Sequence, residues 1–403
     1  MQAFEGIRVI DFTHVLAGPF CTYQLAVMGA DVIKVEPPDS LDMMRQEGAS
    51  ESMASENRGT QFLSQSANKR SLLVNFDSDD GLTVVKRLIE SADVMVENFR
   101  GGVMASAGLD YESVRMLNPG LIYCSMSGFG HTGPKAQHPA YDNVIQAFSG
   151  LMAHTGSRDT APVRVGPPVL DYGTGAQAAF AVASALFQRS KTGVGQRIDV
   201  SMLDAALMLM STSVIDSQVT GRAPVPPGNS SLSHPGYACF DTAEGQLMIG
   251  AFTAKQHARL WLELGQPETS AEVGALNSRG LAGRLQSDRE KLASILLSKP
   301  AQQWEDQLNQ AGVPAARVRQ LDETLAHPQV ASREVLQTAS GLAGEYEDLK
   351  APVAAFSYEH DGPNISCHGA WPGQHTTEVL VELGYSSDDI TAMEARGVVG
   401  ISS

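Results

Sequence analysis

Asp171 closes the run Val163-Arg-Val-Gly-Pro-Pro-Val-Leu170 and is followed at once by Tyr172-Gly-Thr-Gly-Ala-Gln-Ala-Ala-Phe180. A carboxylate thus falls where an apolar extended stretch gives way to small residues and a helical pattern. That position suits a nucleophile, because little side-chain bulk would obstruct a substrate. It also suits a helix cap, since an Asp just ahead of a helix accepts the first free N–H groups. The two roles are compatible: a carboxylate near a helix N-terminus is held ionised by the dipole and by nearby N–H groups, as an anionic nucleophile requires. Tyr141-Asp142 stands in the same way before a second predicted helix, Asn143 to Leu151. There Asp142 reads first as a cap and second as an acid catalyst.

Other signatures are weaker. Gly128-Phe-Gly-His-Thr-Gly133 fits G-x-G-x-x-G after a predicted strand. Pro134 and Pro139 come next, however, where the dinucleotide fingerprint needs a helix N-terminus to receive the pyrophosphate. NAD or FAD is therefore not expected, and the glycines are read as a loop that lets a ligand approach the backbone. The ten histidines show neither H-x-x-H nor H-E-x-x-H spacing, and no G-x-S-x-G elbow occurs, so no catalytic metal is expected. Cys21, Cys124, Cys239 and Cys367 form no C-x-x-C pair and read as free thiols in a reducing compartment. The formal net charge of -16 argues against broad nucleic-acid binding. An anionic ligand would need a local basic patch, for which Lys34, Arg45, Arg58, Lys69, Arg70 and Arg100 are candidates; the alternative for each is a solvated surface charge.

The elements that must position these groups follow an α/β pattern. Gly6 to Phe12 and Ala30 to Glu36 read as strands flanking a helix from Gly18 to Met28, a βαβ opening that implies a parallel sheet. Ser71 to Phe76, Asp93 to Glu97, Leu121 to Met126 and Gln196 to Val200 read as further strands, with an amphipathic helix from Asp80 to Ser91. A doubly wound sheet is the expected fold, with sites at the carboxyl ends of its strands. Ala176 to Arg189 is expected to be a core helix and Ser201 to Val219 a single long one. The Pro, Gly and Ser stretch Gly221 to Ser231 marks a boundary. A smaller unit follows, with strands near Gly236 to Asp241 and Gln246 to Phe252, and Gly312 to Gln320 returns the chain toward the first domain. Thr376 to Gly384 reads as a last helix ended by its Gly. With 403 residues the chain fits two domains. No leader pattern precedes Gly6 and no apolar run reaches the roughly 18 residues of a membrane span, so a cytoplasmic protein is expected.

In this order the segments resemble the family III CoA-transferases, which include formyl-CoA transferase, carnitine CoA-transferase and the 2-methylacyl-CoA racemases. The resemblance is carried by Gly6 to Phe12 with Ala17-Gly-Pro19, Met28 to Glu36, Asn68-Lys-Arg-Ser71, Ala92 to Phe99, Leu117-Asn-Pro119, Ser127 to Pro134, Tyr141-Asp142, Asp171-Tyr-Gly-Thr-Gly175 and Gly373-Gln-His-Thr376. It implies an α/β fold with a doubly wound parallel-sheet large domain made from both chain ends (1–220 and 326–403), a smaller α+β domain with its connectors (221–325), and an interlocked, ring-like homodimer. It further implies Asp171 as the nucleophile, passing through an aspartyl anhydride and an aspartyl-CoA thioester. Under the resemblance His14, Val15 and Ala17 lie along CoA, with Asn98, Phe99 and Met104 near its other groups. Arg45, Arg70 and Arg100 are the candidates for its phosphates, since a guanidinium fork suits phosphate oxygens. A CoA thioester is expected as substrate and no permanently bound cofactor; the partners are an acyl-CoA and a free carboxylic acid, without nucleic acid or membrane.

The departures from the family's pattern concern the acyl group. Formyl-CoA transferase has a Gln where this chain has Leu16, and a run of glycines where this chain has Gly228-Asn-Ser-Ser-Leu-Ser-His-Pro-Gly236, which argues against oxalate or formate. The racemases pair their Asp with a His at the position of Tyr141; a phenol, ordinarily titrating near about 10, is a poor base at neutral pH. The loop with Asn229, Ser230 and His234 offers donors for a second carboxylate, although a hydrogen-bonded linker would have the same composition. Leu16, Tyr141, Asp142, Asn229, Ser230 and His234 are therefore the candidate acyl-site residues, and a short dicarboxylic acyl group (succinyl, mesaconyl, itaconyl or malyl type) is expected, with transfer possible between two carboxyls of one molecule. An acyl-CoA epimerase or racemase and a catalytically silent CoA-thioester binder remain the alternatives.

Overall fold

A computed structural model describes residues 1–402. Six strands form one parallel sheet: β1 (Arg8–Phe12), β2 (Asp31–Glu36), β3 (Lys69–Val74), β4 (Val94–Glu97), β5 (Ile122–Ser127) and β6 (Gln196–Ser201), in the order β3-β2-β1-β4-β5-β6. The short strand Val399–Gly400 adds to the β3 edge in the antiparallel sense. β1 leads into helix α1 (Ala17–Ala26) and β3 into α2 (Asp79–Glu90). Between β5 and β6 come α3 (Asp142–Ser149) and α4 (Val169–Thr192), and β6 leads into α5 (Met202–Leu209). The winding direction reverses between β1 and β4, which opens a crevice at the carboxyl ends of those two strands.

The apolar runs become strands because both sheet faces are covered. Ile10, Phe12, Ile33, Val35, Leu72 and Met95 face a core shared with Val84, Val85, Leu88 and Ile89 of α2 and with Val379 and Leu380 near the C-terminus. The intervening Val9, Val32, Val94, Val96 and Ile122 face the other core, with Cys21 and Leu25 of α1 and Ala178, Val182 and Leu186 of α4. Burial on two sides is why these strands read as continuous apolar runs rather than alternating ones.

The chain divides into two compact units: Met1–Leu151 with Val165–Asp216 and the stretch from Ala331 onward, and Met152–Arg164 with Ser217–Val330. Residues 152–164 therefore do not cluster with the large domain in which the sequence places them. Backbone pairing supplies the reason, with Gly228 N–H donating to the Gly156 carbonyl at 2.7 Å. The second unit carries an antiparallel sheet of β7 (Tyr237–Asp241), β8 (Gln246–Gly250) and β9 (Ala315–Arg317) over a core around Trp261, Leu292 and Trp304. In the first unit β10 (Leu336–Thr338) pairs antiparallel with β11 (Lys350–Pro352), a hairpin whose three-residue strands are too short to show a period in the sequence. The single helix expected from Ser201 to Val219 breaks at Met210, between α5 and a helix Ser211–Thr220. Among the described residues no helix is long and apolar enough to cross a membrane.

The glycines after Asp171 have a packing role. A Cβ on Gly175 would lie 2.5 Å from the Ala17 carbonyl oxygen and 3.0 Å from the Phe20 ring, so α4 approaches the start of α1 only because this position lacks a side chain. Gly175→Ala is expected to destabilise the protein by about 1–3 kcal/mol, the overpacking term outweighing the roughly 1 kcal/mol of helix propensity it gains. The midpoint of chemical denaturation checks this; an unchanged or raised midpoint would show that the two helices separate freely.

Candidate functional site

The segments leaving β1, β4 and β5 at the winding reversal enclose a cavity of about 90 Å³. His14, Val15, Leu16 and Ala17 line it from the turn after β1, and Asn98 from the turn after β4. Tyr141, Asp171 and Thr174 line it from the starts of α3 and α4. Residues far apart in the chain thus meet where an open parallel sheet ordinarily holds its ligand.

The turn after β1 is held in a conformation it would not choose alone. Val15 sits at φ +70°, a left-handed backbone that a β-branched residue rarely adopts. Its N–H donates to Asp42 Oδ1 at 3.2 Å and its carbonyl accepts from Gln65 Nε2 at 2.6 Å. The neighbouring His14 is locked by a reciprocal pair, its N–H donating to Asn98 Oδ1 and its carbonyl accepting from Asn98 Nδ2, both at 2.9 Å. Beneath the turn Lys34 Nζ donates to the Thr13 carbonyl at 2.7 Å and to Asp42 at 3.2 Å, while Lys69 pairs with Asp11 at 2.9 Å. All four charged groups are buried. Burial by itself would raise the Asp11 carboxyl, but Lys69 and Lys34, with the Thr13 and Thr22 hydroxyls, bring it down to about 2.

Asp171 does not cap its helix. α4 begins two residues earlier, at Val169, after Pro168, and Asp171 is the third residue of its first turn. The cap comes from Asp142, whose Oδ2 accepts from the N–H groups of Leu170 (2.7 Å) and Asp171 (3.2 Å). Asp142 in turn is the first residue of α3 and does not cap it; its Oδ1 accepts from Gln146 Nε2 at 2.6 Å, and Gln146 Oε1 accepts from Val165 N–H at 2.9 Å. A helix N-terminus was expected to keep Asp171 ionised, and the structure corrects that too. Burial, with the Asp142 charge beside it, pushes the Asp171 carboxyl up to about 7. The N–H groups that would have stabilised the anion are taken by Asp142, and among the described residues none donates to the Asp171 carboxylate.

The basic candidates separate. Arg45 is fully buried, its fork on Glu36 at 2.6 Å and its face over the Phe62 ring, so it has no free edge for a phosphate. Arg70 is committed to Asp31 and Glu382, both at 2.7 Å, and to Glu378 at 3.0 Å. Lys34 and Lys69 are spent under the β1 turn. Arg100 is exposed and lines, with Phe99 and Met104, a separate cavity of about 150 Å³. Asn229 and Ser230 line a cavity of the second unit, of about 760 Å³, and His234 stacks on Phe252 with ring centroids 4.4 Å apart, its Nδ1 2.9 Å from the Ser233 hydroxyl. Thr174, Asp42 and Gln65 escaped the sequence reading as site residues, and Lys34, read there as a candidate for an anion-binding patch, instead supports the turn from beneath. Only Thr174 carried a signal, its spacing of three from Asp171 on one helix.

A carboxylate in a small cavity, beside a rigid backbone turn and without donors of its own, can attack an electrophilic carbon or exchange a proton. The family described as CoA-transferase family III matches residues 4–366. The succinate–glutarate CoA-transferase of Agrobacterium fabrum is 33% identical over 387 residues, 94% of this chain and 95% of that protein. The succinyl-CoA:mesaconate CoA-transferase of Haloarcula marismortui is 34% identical over 389 residues, 95% of this chain and 97% of that one. Among solved structures, a CaiB/BaiF family protein from Brucella suis superposes with a TM-score of 0.82 at 29% identity, covering 95% of this chain and 99% of its own.

The raised Asp171 carboxyl has a consequence for stability. In the unfolded chain it ionises near its ordinary value of about 4, but in the folded protein only near about 7. Between those values the folded state binds more protons than the unfolded one, so this residue's contribution to stability falls as pH rises through that window. Asp171→Asn is expected to raise stability at pH 8, by up to about 4 kcal/mol for a shift of roughly three units, and to leave it unchanged at pH 4. Denaturation midpoints of both proteins at the two pH values test this; equal differences at pH 4 and pH 8 would remove the titration from the account.

Proposed function

This chain belongs to CoA-transferase family III, and from that premise we propose that it exchanges CoA between short dicarboxylic acids through covalent intermediates at Asp171. The observation that carries the reading is the presence of the Asp171 carboxylate in the crevice cavity, beside a held turn from His14 to Ala17; in this reading the pantetheine arm of CoA runs along that turn. The Asp171 carboxylate attacks the thioester carbonyl and the CoA thiolate leaves, giving a mixed anhydride. The thiolate then attacks the Asp171 carboxyl carbon and frees the donor acid, leaving an aspartyl-CoA thioester. An acceptor carboxylate reverses the two steps and departs as the new CoA thioester. An anhydride and a thioester are both activated acyl groups, so neither half-reaction rests in a deep minimum.

Relatives named for succinate with glutarate and for succinyl-CoA with mesaconate support the dicarboxylic substrate class. In this reading Leu16 and Tyr141 border the acyl group, Arg100 lies toward the CoA phosphates, and Asn229, Ser230 and His234 supply donors for the distal carboxylate. The working form is the interlocked homodimer; exposed Phe180 (71%) and Phe187 (65%) on α4 are the kind of apolar surface such a partner covers. A second reading, α-proton exchange, draws support from the Asp171 carboxyl lying near about 7, which suits a general base.

Incubation with succinyl-CoA followed by hydroxylamine is expected to leave a hydroxamate at Asp171, absent in Asp171→Ala, which loses transfer by several orders of magnitude. Transfer is expected to glutarate, mesaconate or itaconate and not to acetate or propionate, with kcat/KM rising with pH to a plateau above about 7 as the nucleophile ionises. An active Asp171→Ala variant would sink the covalent mechanism. Equal use of monocarboxylates would sink the substrate class, and deuterium wash-in at the α-carbon without acid exchange would favour the epimerase.

A further inference from the structure

Thr174 is fully buried, lines the same cavity as Asp171, and its Oγ1 has no hydrogen-bond partner among the described residues. That is unusual for a threonine inside a helix, which ordinarily returns its hydroxyl to a carbonyl three or four residues back. Several other helical threonines of this chain do so, Thr22 to the Pro19 carbonyl, Thr83 to Asp79, Thr192 to Gln188 and Thr391 to Ser387, while others accept from a neighbouring group, as Thr269 does from Lys291 and Thr376 from the Leu73 N–H. A buried hydroxyl left unpaired is unfavourable unless something else fills its capacity. Thr174 follows Asp171 by three positions on α4, so the two side chains are neighbours on one helix face. The next residue, Gly175, presses the helix against the Ala17 carbonyl and fixes it there.

Resting on the assignment of Asp171 as nucleophile, we propose that the Thr174 hydroxyl is a catalytic donor to the oxyanion that forms on the Asp171 carboxyl carbon. Of the four additions in a full cycle, two occur on the substrates' acyl carbons and two on this carbon. In the first of these two, the CoA thiolate forms a C–S bond to the Asp171 carbon of the anhydride, and the carbonyl π pair moves onto oxygen. When that pair returns, the bond from the carbon to the bridging oxygen breaks and the donor acid leaves as its carboxylate. The second runs the same path backwards with the acceptor carboxylate. Thr174 donates a hydrogen bond throughout and keeps its proton. Because it is anchored to the same helix as Asp171, it serves these two additions rather than those on the substrate.

The test is a single-turnover measurement with succinyl-CoA that follows aspartyl-CoA formation and succinate release, alongside equilibrium binding of CoA. Thr174→Val keeps the shape and removes the donor; it is expected to slow aspartyl-CoA formation on the order of 10²-fold, as loss of one oxyanion donor does, with CoA binding unchanged. Thr174→Ser restores the hydroxyl and is expected to stay within about tenfold of the wild type. Aspartyl-CoA formation at the wild-type rate in Thr174→Val would overturn the proposal. So would a Thr174→Ser as slow as the valine variant, or a valine variant whose loss lies entirely in CoA binding. A wild-type protein that forms no adduct from acyl-CoA would instead refute the nucleophile assignment on which this one rests.

Discussion

The site hangs on one carboxylate that does not belong to the helix it caps. Asp142 Oδ2 takes the N–H groups of Leu170 and Asp171, and its other oxygen takes the Gln146 amide, so the starts of α3 and α4 are joined through a single buried acid. The first N–H groups of a helix must find acceptors. Had Asp171 supplied its own cap, its oxygens would have been turned back onto the backbone. With Asp142 in that role, the Asp171 side chain is left facing the cavity without donors. Burial first, and the Asp142 carboxylate that the same arrangement sets beside it second, make Asp171 resist ionisation. A group that burial makes costly to ionise gains more than a solvated carboxylate from a ligand that supplies positive or donor groups around it.

Opposite this acid pair the cavity wall is built from strain and buried charge. Val15 in a left-handed conformation costs on the order of 1–3 kcal/mol and persists only where neighbours over-determine it. Those neighbours are Asp42, Gln65 and Asn98, and behind them the Lys34 and Lys69 ammonium groups with Asp11. Buried ion pairs of this kind contribute little net stability, because desolvation offsets their attraction. Breaking one by removing a single partner is another matter, since it strands a charge. Their effect here is geometric, to hold the backbone from Thr13 to Ala17 in one shape at the carboxyl end of β1. Arg45 and Glu36 extend the network, which is why an arginine that looks free in the sequence has no role at the surface.

Much of this was legible from residue order. The first five parallel strands stand where largely apolar runs predict them, because a strand buried on both faces writes itself into consecutive residues; the edge strand Gln196–Ser201, partly exposed, shows instead an alternation of polar and apolar residues. Asp171 stood out because Pro167, Pro168 and the small residues after it leave a single acid at a helix start. What stayed hidden depends on partners distant in the chain. That Asp142 caps α4 needs a contact across 28 residues, and that Arg45 is spent on Glu36 needs burial from every side. The break at Met210 and the grouping of 152–164 with the second unit carry no compositional mark, since each is decided by what packs or pairs against it.

The sequence by itself determined the α/β class and the family and singled out the acid that the fold places in the crevice cavity, because these rest on local periodicity and on residue types in order. The tertiary structure alone decided that acid's state. Whether a carboxylate beside a helix start is held ionised or kept protonated depends on which group takes the helix N–H bonds and how much water is excluded. Both are sums over neighbours drawn from several elements, and no local pattern encodes such a sum.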